Sequence, residues 1–332
     1  MAQPPEPGQT LGEFGRIQRF FAPLATATGA LGLLDDAAVL ALEPGERLVL
    51  TMDTIVEGVH FLPTDPADLV ARKLLRVNLS DLAAMGAKPV GYLSSIALPR
   101  RCDDAWVGRF ATGLAEDQAA FGISMLGGDS VSTPGPVTLT VTALGIVEAG
   151  REIRRSGARP GDLVLVSGTI GDGALGLMAA NLSLPDLDEG HRAELVDRYR
   201  LPRPRLELGR TLAGLAHAMI DVSDGLVADL GHIADVSGVS AVIEAARIPL
   251  SAAAGSALAL DVGLFERILT GGDDYEILFT AGPESLEEIL ALGRTLDVPV
   301  TLIGHIEAGS GVRVVDRDGA RIELSRGGWQ HE

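Results

Sequence analysis

Apolar residues recur along this chain at two spacings, and the change from one to the other marks where elements begin and end. Residues 12–24 carry apolar positions at helical spacing, and 47–51 read as a strand. Asp65 and Pro66 open a long helix, with Pro at a favoured first-turn position. The pattern then predicts a strand over 90–98, a helix over 103–121 and a strand over 137–147, where Val and Leu alternate with Thr. Residues 148–161 are charged and turn-rich, closing on Pro160-Gly161, and the domain boundary is placed there, dividing 1–149 from 150–332. Beyond it the pattern predicts strands at 162–167, 218–222, 239–243, 275–280, 300–306 and 312–315. Helices are predicted at 173–181, 204–215 and 225–234, with a charged helical stretch at 191–200. Strands and helices alternate in both halves, the pattern of an α/β (α+β) protein with two α/β layers.

The long helix allows a sharper reading. At 100° per residue, Val70, Leu74, Val77, Asp81 and Met85 share one stripe with Asn78 beside it, while Arg72, Lys73, Arg76 and Ser80 lie opposite. A carboxylate on the apolar stripe is costly unless it is paired or binds a metal, so Asp81 calls for a partner: a cation, a backbone amide or an arginine.

Length, charge and cysteine count narrow the picture. A chain of 332 residues exceeds what one core usually serves, so two domains are expected. The net charge of -18 argues against nucleic acid, whose phosphates need Lys and Arg, but leaves room for small phosphorylated ligands bridged by divalent ions. The single cysteine, Cys102, cannot form an intrachain disulfide and fits a reducing cytoplasm. The first dozen residues lack the pattern of a signal peptide, and no stretch reads as a membrane span.

Six runs place aspartate beside small residues: Leu34-Asp35-Asp36, Thr51-Met52-Asp53-Thr54, Asn78-Leu79-Ser80-Asp81, Gly127-Gly128-Asp129, Asp221-Val222-Ser223-Asp224-Gly225 and Gly271-Gly272-Asp273-Asp274. Hard oxygen donors without a His/Cys cluster are what Mg²⁺ takes, usually with substrate phosphates. Ser or Asp at 221–224 would also cap the following helix, but a cap needs only one of the three polar residues. Gly127 and Gly128 suit either a tight turn or a close backbone approach to phosphate. Gly171-Asp172-Gly173-Ala174-Leu175-Gly176 matches a dinucleotide fingerprint after a strand. The acidic residue expected about 20 residues on falls in a helical stretch, so close helix packing is the better reading. No P-loop, zincin or nucleophile-elbow motif is present.

These runs, together with Gly12-Glu13-Phe14, Arg155-Ser156-Gly157-Ala158 and the segment from Val77 to Ala87, resemble the thiamine-monophosphate kinase family over almost the whole chain, from near Glu13 to near Trp329. The resemblance implies a two-domain fold like that of aminoimidazole ribonucleotide synthetase. In that fold the N-terminal sheet pairs across a homodimer, and a C-terminal α/β domain completes the active-site cleft. It implies ATP-dependent phosphorylation of thiamine phosphate to thiamine diphosphate. By motif, Asp36, Thr51, Asp53, Asp81, Asp129, Asp221 and Asp224 correspond to the Mg²⁺ site. Gly128, Asp129, Arg155 and Ser223 correspond to ATP contacts, and His60, Asp273 and Trp329 to thiamine phosphate contacts. Arg155, Asp129 and Asp221 are the catalytic candidates. The chain departs from the family pattern at Leu34, where a glycine is frequent, at Met52, where a hydroxyl residue is common, and at Asp273, which shortens a frequent Glu.

The implied chemistry is coherent. A phosphate monoester acceptor has its second pKa at about 6 and is largely deprotonated at neutral pH, so no general base is required. Repulsion between two polyanions is the harder problem, met by Mg²⁺ and an arginine that align direct in-line transfer. Two alternatives remain. One is another ATP-dependent synthetase of the superfamily, although a selenophosphate synthetase would carry a reactive Cys and Lys that residues 1–32 lack. The other is a catalytically silent Mg-nucleotide-binding dimer.

Overall fold

A computed structural model describes residues 11–35, 37–325 and 328. The chain divides into two compact units, one of residues 1–79 and Pro89–Ile146, the other of Ser80–Lys88 and Val147–Glu332.

The first unit begins with α1 (Glu13–Arg16), which continues as a π turn over Ile17–Phe21 and a 3₁₀ turn over Ala22–Leu24. One helical stretch read from the sequence is thus three helical geometries. It then holds β1 (Glu46–Val56), most of α2 (Ala67–Ala84), β2 (Lys88–Leu98), α3 (Asp104–Phe121), β3 (Ser124–Ser132) and β4 (Thr138–Glu148). The sheet order is β1-β4-β2-β3. Asp103 caps α3 by accepting the Trp106 amide, and Gly122 ends the helix in a left-handed conformation. The two helices approach so closely that a Cβ at Gly113 would lie 2.1 Å from the Asp68 carbonyl.

The polar face expected on α2 is not a solvent face. Arg72 and Arg76 both hold the fully buried Asp117 of α3, Lys73 donates to the His60 carbonyl, and Ser80 is buried. The stripe reading put Asp81 inside and Ser80 outside. The helix is instead covered on nearly all sides, and Arg72, Lys73, Arg76, Asn78 and Ser80 each hydrogen-bond within the fold.

The second unit holds β5 (Leu163–Ser167), α4 (Asp172–Ala180), α5 (Glu189–Arg200), α6 (Leu206–Thr211), β6 (Ala216–Asp221), α7 (Leu226–Ser237) and β7 (Ser240–Glu244). They are followed by α8 (Ala252–Leu260), α9 (Leu264–Thr270), β8 (Ile277–Ala281), α10 (Leu286–Thr295), β9 (Val300–Glu307), β10 (Gly311–Val315) and β11 (Arg321–Ile322). Its sheet runs β11-β10-β7-β9-β5-β8-β6, with β10 parallel to β7 and antiparallel pairing of β5 with β8 and β9. The core is one continuous apolar cluster, including Val164, Leu175, Leu195, Ile220, Leu230 and Leu278. The Gly171 to Gly176 run is packing: Gly171 takes φ 92° ahead of α4, and a Cβ at Gly176 would lie 2.2 Å from the Leu195 carbonyl of α5. Among the described residues no helix is long and apolar enough to cross a membrane.

Candidate functional site

In the second unit, β6 delivers Asp221 to the end of the sheet, only 2% exposed. Its Oδ2 accepts the hydroxyl of Ser80 at 2.7 Å, so the last turns of α2 are joined to the strand end by a buried hydrogen bond. Burial pushes the Asp221 carboxyl up to about 8, the negative charge of Asp81 adds to that rise, and the Ser80 hydrogen bond and Arg155 oppose it. Asp81, Asp221 and Arg155 therefore sit within one electrostatic neighbourhood, although 140 residues of chain separate the first two. Arg155 is exposed.

The turn after β6 is held by a residue the sequence reading passed over. Asp229 Oδ2 accepts the backbone amides of Ser223, Asp224 and Gly225, each at 3.1 Å. The cap of α7 thus comes from inside its own first turn and from neither Ser223 nor Asp224, which leaves both of those side chains free of capping duty. An acidic residue in the first turn of a helix that follows a strand-end loop is the signal that could have found it. Burial, and then Asp224, raise the Asp229 pKa to about 7, while the three amides pull it down. Donor atoms of Asp224, Asp229 and His232 lie within 4.8 Å of one another.

The Gly271 to Glu276 loop runs beside this turn. The Asp273 amide donates to the Ser223 carbonyl at 2.8 Å, and the Tyr275 amide to the Val222 carbonyl at 2.8 Å. Candidate residues Ser223, Asp224 and Asp273 are thereby gathered beside Asp221 in one unit. Trp329 and Asp36 lie outside the described residues. Gly328 lies against the start of α7, where a Cβ would be 2.3 Å from that of Ala228 and 3.0 Å from the Asp224 carbonyl.

In the first unit, Thr51 and Asp53 alternate on β1 with the exposed Leu50, Met52 and Thr54. Met52, where the family favours a hydroxyl, thus projects to the face opposite Thr51 and Asp53. The Asp53 amide donates to the carboxamide oxygen of the fully buried Asn78, whose own amide holds the Leu74 carbonyl. Asn78 was given no role of its own in the sequence reading; it is the peg that fixes β1 at Asp53. His60 accepts the Val56 amide on Nδ1 at 3.0 Å, which places the proton of the neutral ring on Nε2.

Gly128, read as suiting either a tight turn or a close approach to phosphate, lies with Asp129 inside β3, opposite Ser94 and Ser95 of β2. A Cβ at Gly128 would lie 2.1 Å from the Ser94 carbonyl, so the close approach its glycine permits is to the neighbouring strand. Asp53 and Asp129 lie on the two edge strands, with β4 and β2 between them. The sheet of one chain does not set them side by side.

The donor set suits a hard cation. Asp221 and Asp81 are carboxylates crowded together, one of them buried, and burial of a charge on that scale is stable when a cation or proton completes it. The chemistry such a cluster can support is the binding and orientation of phosphate groups through Mg²⁺, beside an exposed arginine.

Comparison with known proteins places the chain in a family. Residues 34–147 match the family model for the AIR synthase related protein N-terminal domain, and residues 159–317 match that for its C-terminal domain. Thiamine-monophosphate kinase of Caulobacter vibrioides is 45% identical over 323 residues, covering 96% of this chain and 90% of the relative. The crystal structure of thiamine-monophosphate kinase from Stenotrophomonas maltophilia K279a superposes with a TM-score of 0.83 at 40% identity, covering 95% and 99% of the two chains. A structure of AaThiL complexed with AMPPCP and TMP superposes with a TM-score of 0.78 at 32% identity, covering 97% of both.

Proposed function

The chain belongs to the thiamine-monophosphate kinase family of AIR synthase related proteins, and we propose that it phosphorylates thiamine phosphate to thiamine diphosphate by direct in-line transfer of the γ-phosphoryl group of ATP. The observation that carries the residue-level reading is the buried Asp221, tied to Ser80, beside Asp81 and within reach of the charge of Arg155.

Mg²⁺, as several ions, is assigned to Asp81, Asp221 and Asp224 in the second unit and, on separate strands of the first, to Thr51 and Asp53 and to Asp129, with Asp36 as a further ligand. Bound there, it would neutralise phosphate charge and polarise the transferring group. Arg155 is exposed and can meet the triphosphate, to which Gly128, Asp129 and Ser223 are also assigned. His60 presents an Nε2–H donor suited to a phosphate oxygen, and Asp273 and Trp329 are assigned to thiamine phosphate. No residue need abstract a proton, because the acceptor oxygen is already ionised at neutral pH.

A homodimer fits the first unit. Leu50 and Met52 are 60% and 64% exposed on an edge strand, and Leu93 and Val131 are exposed on β2 and β3. Such surface is rarely left to water in a soluble monomer. The cytoplasm, where ATP and thiamine phosphate are present, is the assigned compartment.

The test is ATP turnover with and without thiamine phosphate in the presence of Mg²⁺. Turnover that requires thiamine phosphate, yields thiamine diphosphate and leaves no labelled phosphoenzyme supports the proposal. ATP consumption indifferent to thiamine phosphate, or a trapped covalent phosphate, would overturn it.

A further inference from the structure

Asp274 and Glu276 take no part in the reading above, yet they anchor the most heavily braced loop of the second unit. Burial alternates along it: Asp273 and Tyr275 are half-buried, while Asp274 and Glu276 are buried, Glu276 completely. Asp273 and Tyr275 both adopt left-handed backbone, at φ 69° and 53°, directly after Gly272 at 70°. A non-glycine residue in that region is strained, so two in three positions persist only where the surroundings impose them.

The surroundings are ionic and buried. Arg205 grips Glu276 through Nε and Nη2, both at 2.6 Å; Arg198 adds Nη2 at 3.0 Å and Ser167 its hydroxyl at 2.6 Å. Arg198 also faces Asp172 at 3.7 Å. Asp274 accepts the amides of Gly171 and Gly173, where β5 passes into α4. On the other side, the Val222 amide donates to the Glu276 carbonyl, so the loop is laced along the Asp221 to Asp224 turn. There is no room to slide, since a Cβ at Gly272 would lie 2.2 Å from the Ser223 carbonyl. Buried ion pairs of this kind add little net stability compared with apolar packing, so what they contribute here is a single geometry.

We propose that Glu276, with Asp274, is a positioning residue for the acceptor substrate: its clasp by Arg205 and Arg198 holds Asp273 in left-handed backbone and aims its carboxylate at thiamine phosphate. This rests on the assignment of Asp273 to thiamine phosphate. Because the clasp acts through Asp273, its loss weakens acceptor binding and spares nucleotide binding.

The experiment is a double-mutant cycle on the full-length enzyme with Asp273→Ala, Glu276→Gln and the pair, measuring KM for thiamine phosphate, KM for ATP, kcat and melting temperature. The expected result is a rise of about tenfold in KM for thiamine phosphate in each single variant, a change under about twofold in KM for ATP in Glu276→Gln, and a double variant no worse than Asp273→Ala. If Asp273→Ala raises that KM while Glu276→Gln lowers only melting temperature or kcat, or if the two effects multiply, the positioning role is overturned and the Asp273 assignment stands. If Asp273→Ala leaves KM unchanged, the assignment itself falls and takes the proposal with it. Should Glu276→Gln not fold, Arg205→Lys serves in its place, keeping the charge while losing the two-pronged contact. It supports the proposal by raising KM for thiamine phosphate at least threefold and overturns it by leaving that value unchanged.

Discussion

Replacing Asp229 with alanine tests the inverted cap of α7. One carboxylate oxygen there serves three backbone amides at 3.1 Å, and those amides belong to the turn carrying Ser223 and Asp224. Each intramolecular hydrogen bond is worth about 0.5–1.5 kcal/mol net, and a buried orphan amide such as that of Gly225 costs about 1–3 kcal/mol. The Ser223 and Asp224 amides, half-buried, would recover part of their loss to water. Removing a carboxylate that is itself held against desolvation, with its pKa raised to about 7, returns a further part. The balance is a loss of about 2–3 kcal/mol at neutral pH. For a unit of this size that lowers the melting temperature by about 4–12 °C. Asp229→Asn keeps one acceptor oxygen and should lose less than half as much. Thermal unfolding followed by circular dichroism, without added metal, measures both. An alanine variant melting within about 1 °C of the parent would show that the three contacts do not hold the turn.

Three further outcomes are expected. Asp221 and Asp274 have pKa values raised to about 8 by burial and Asp229 to about 7, so the folded state binds more protons than the unfolded one across this range, and metal-free stability should fall as pH rises from 6 to 9. Melting curves across that range, repeated with Mg²⁺, check it: Mg²⁺ should restore more at pH 9 than at pH 6, and less in Asp81→Asn, whereas a flat metal-free profile would contradict the cause given. Gly176→Ala should destabilise by at least about 1–3 kcal/mol through overpacking, because its Cβ meets the Leu195 carbonyl at 2.2 Å and has no rotamer to escape by; urea unfolding would detect it. Met52→Lys should shift the protein toward monomer in light scattering while leaving the melting temperature of the second unit nearly unchanged, and an unaltered mass would remove the apolar sheet face from the association.

Much of the scaffold was legible because its periodicity is strong. The helices α2 and α3 and the strands β2 and β4 lie within two residues of where the spacing puts them. Strand β3 was missed because Gly127-Gly128-Asp129 carries no alternation, and Gly128 is there for close contact with Ser94. Helices α8 to α10 were not read, and α8 shows why: Ala252–Leu260 is almost uniformly small and apolar and has no polar face to reveal a period. For the site, the strand-end cluster at Asp221, Ser223 and Asp224 stood out locally. That Asp81 would lie near Asp221 could not be read from spacing, since a hydrogen bond between residues 141 apart leaves no periodic trace. Asn78, Asp229 and Glu276 were missed for a common reason: each works by holding backbone or arginine in place, and such duty leaves no motif of its own.

The polypeptide crosses between its two compact units at three points, after Leu79, after Lys88 and after Ile146. A nascent chain therefore cannot finish its first half on emergence from the ribosome, because Ser80 to Lys88 must wait for partners such as Gly209 and Asp221 to be synthesised. A gene cut at the apparent midpoint would yield a fragment with Leu82 and Ala83 stripped of cover.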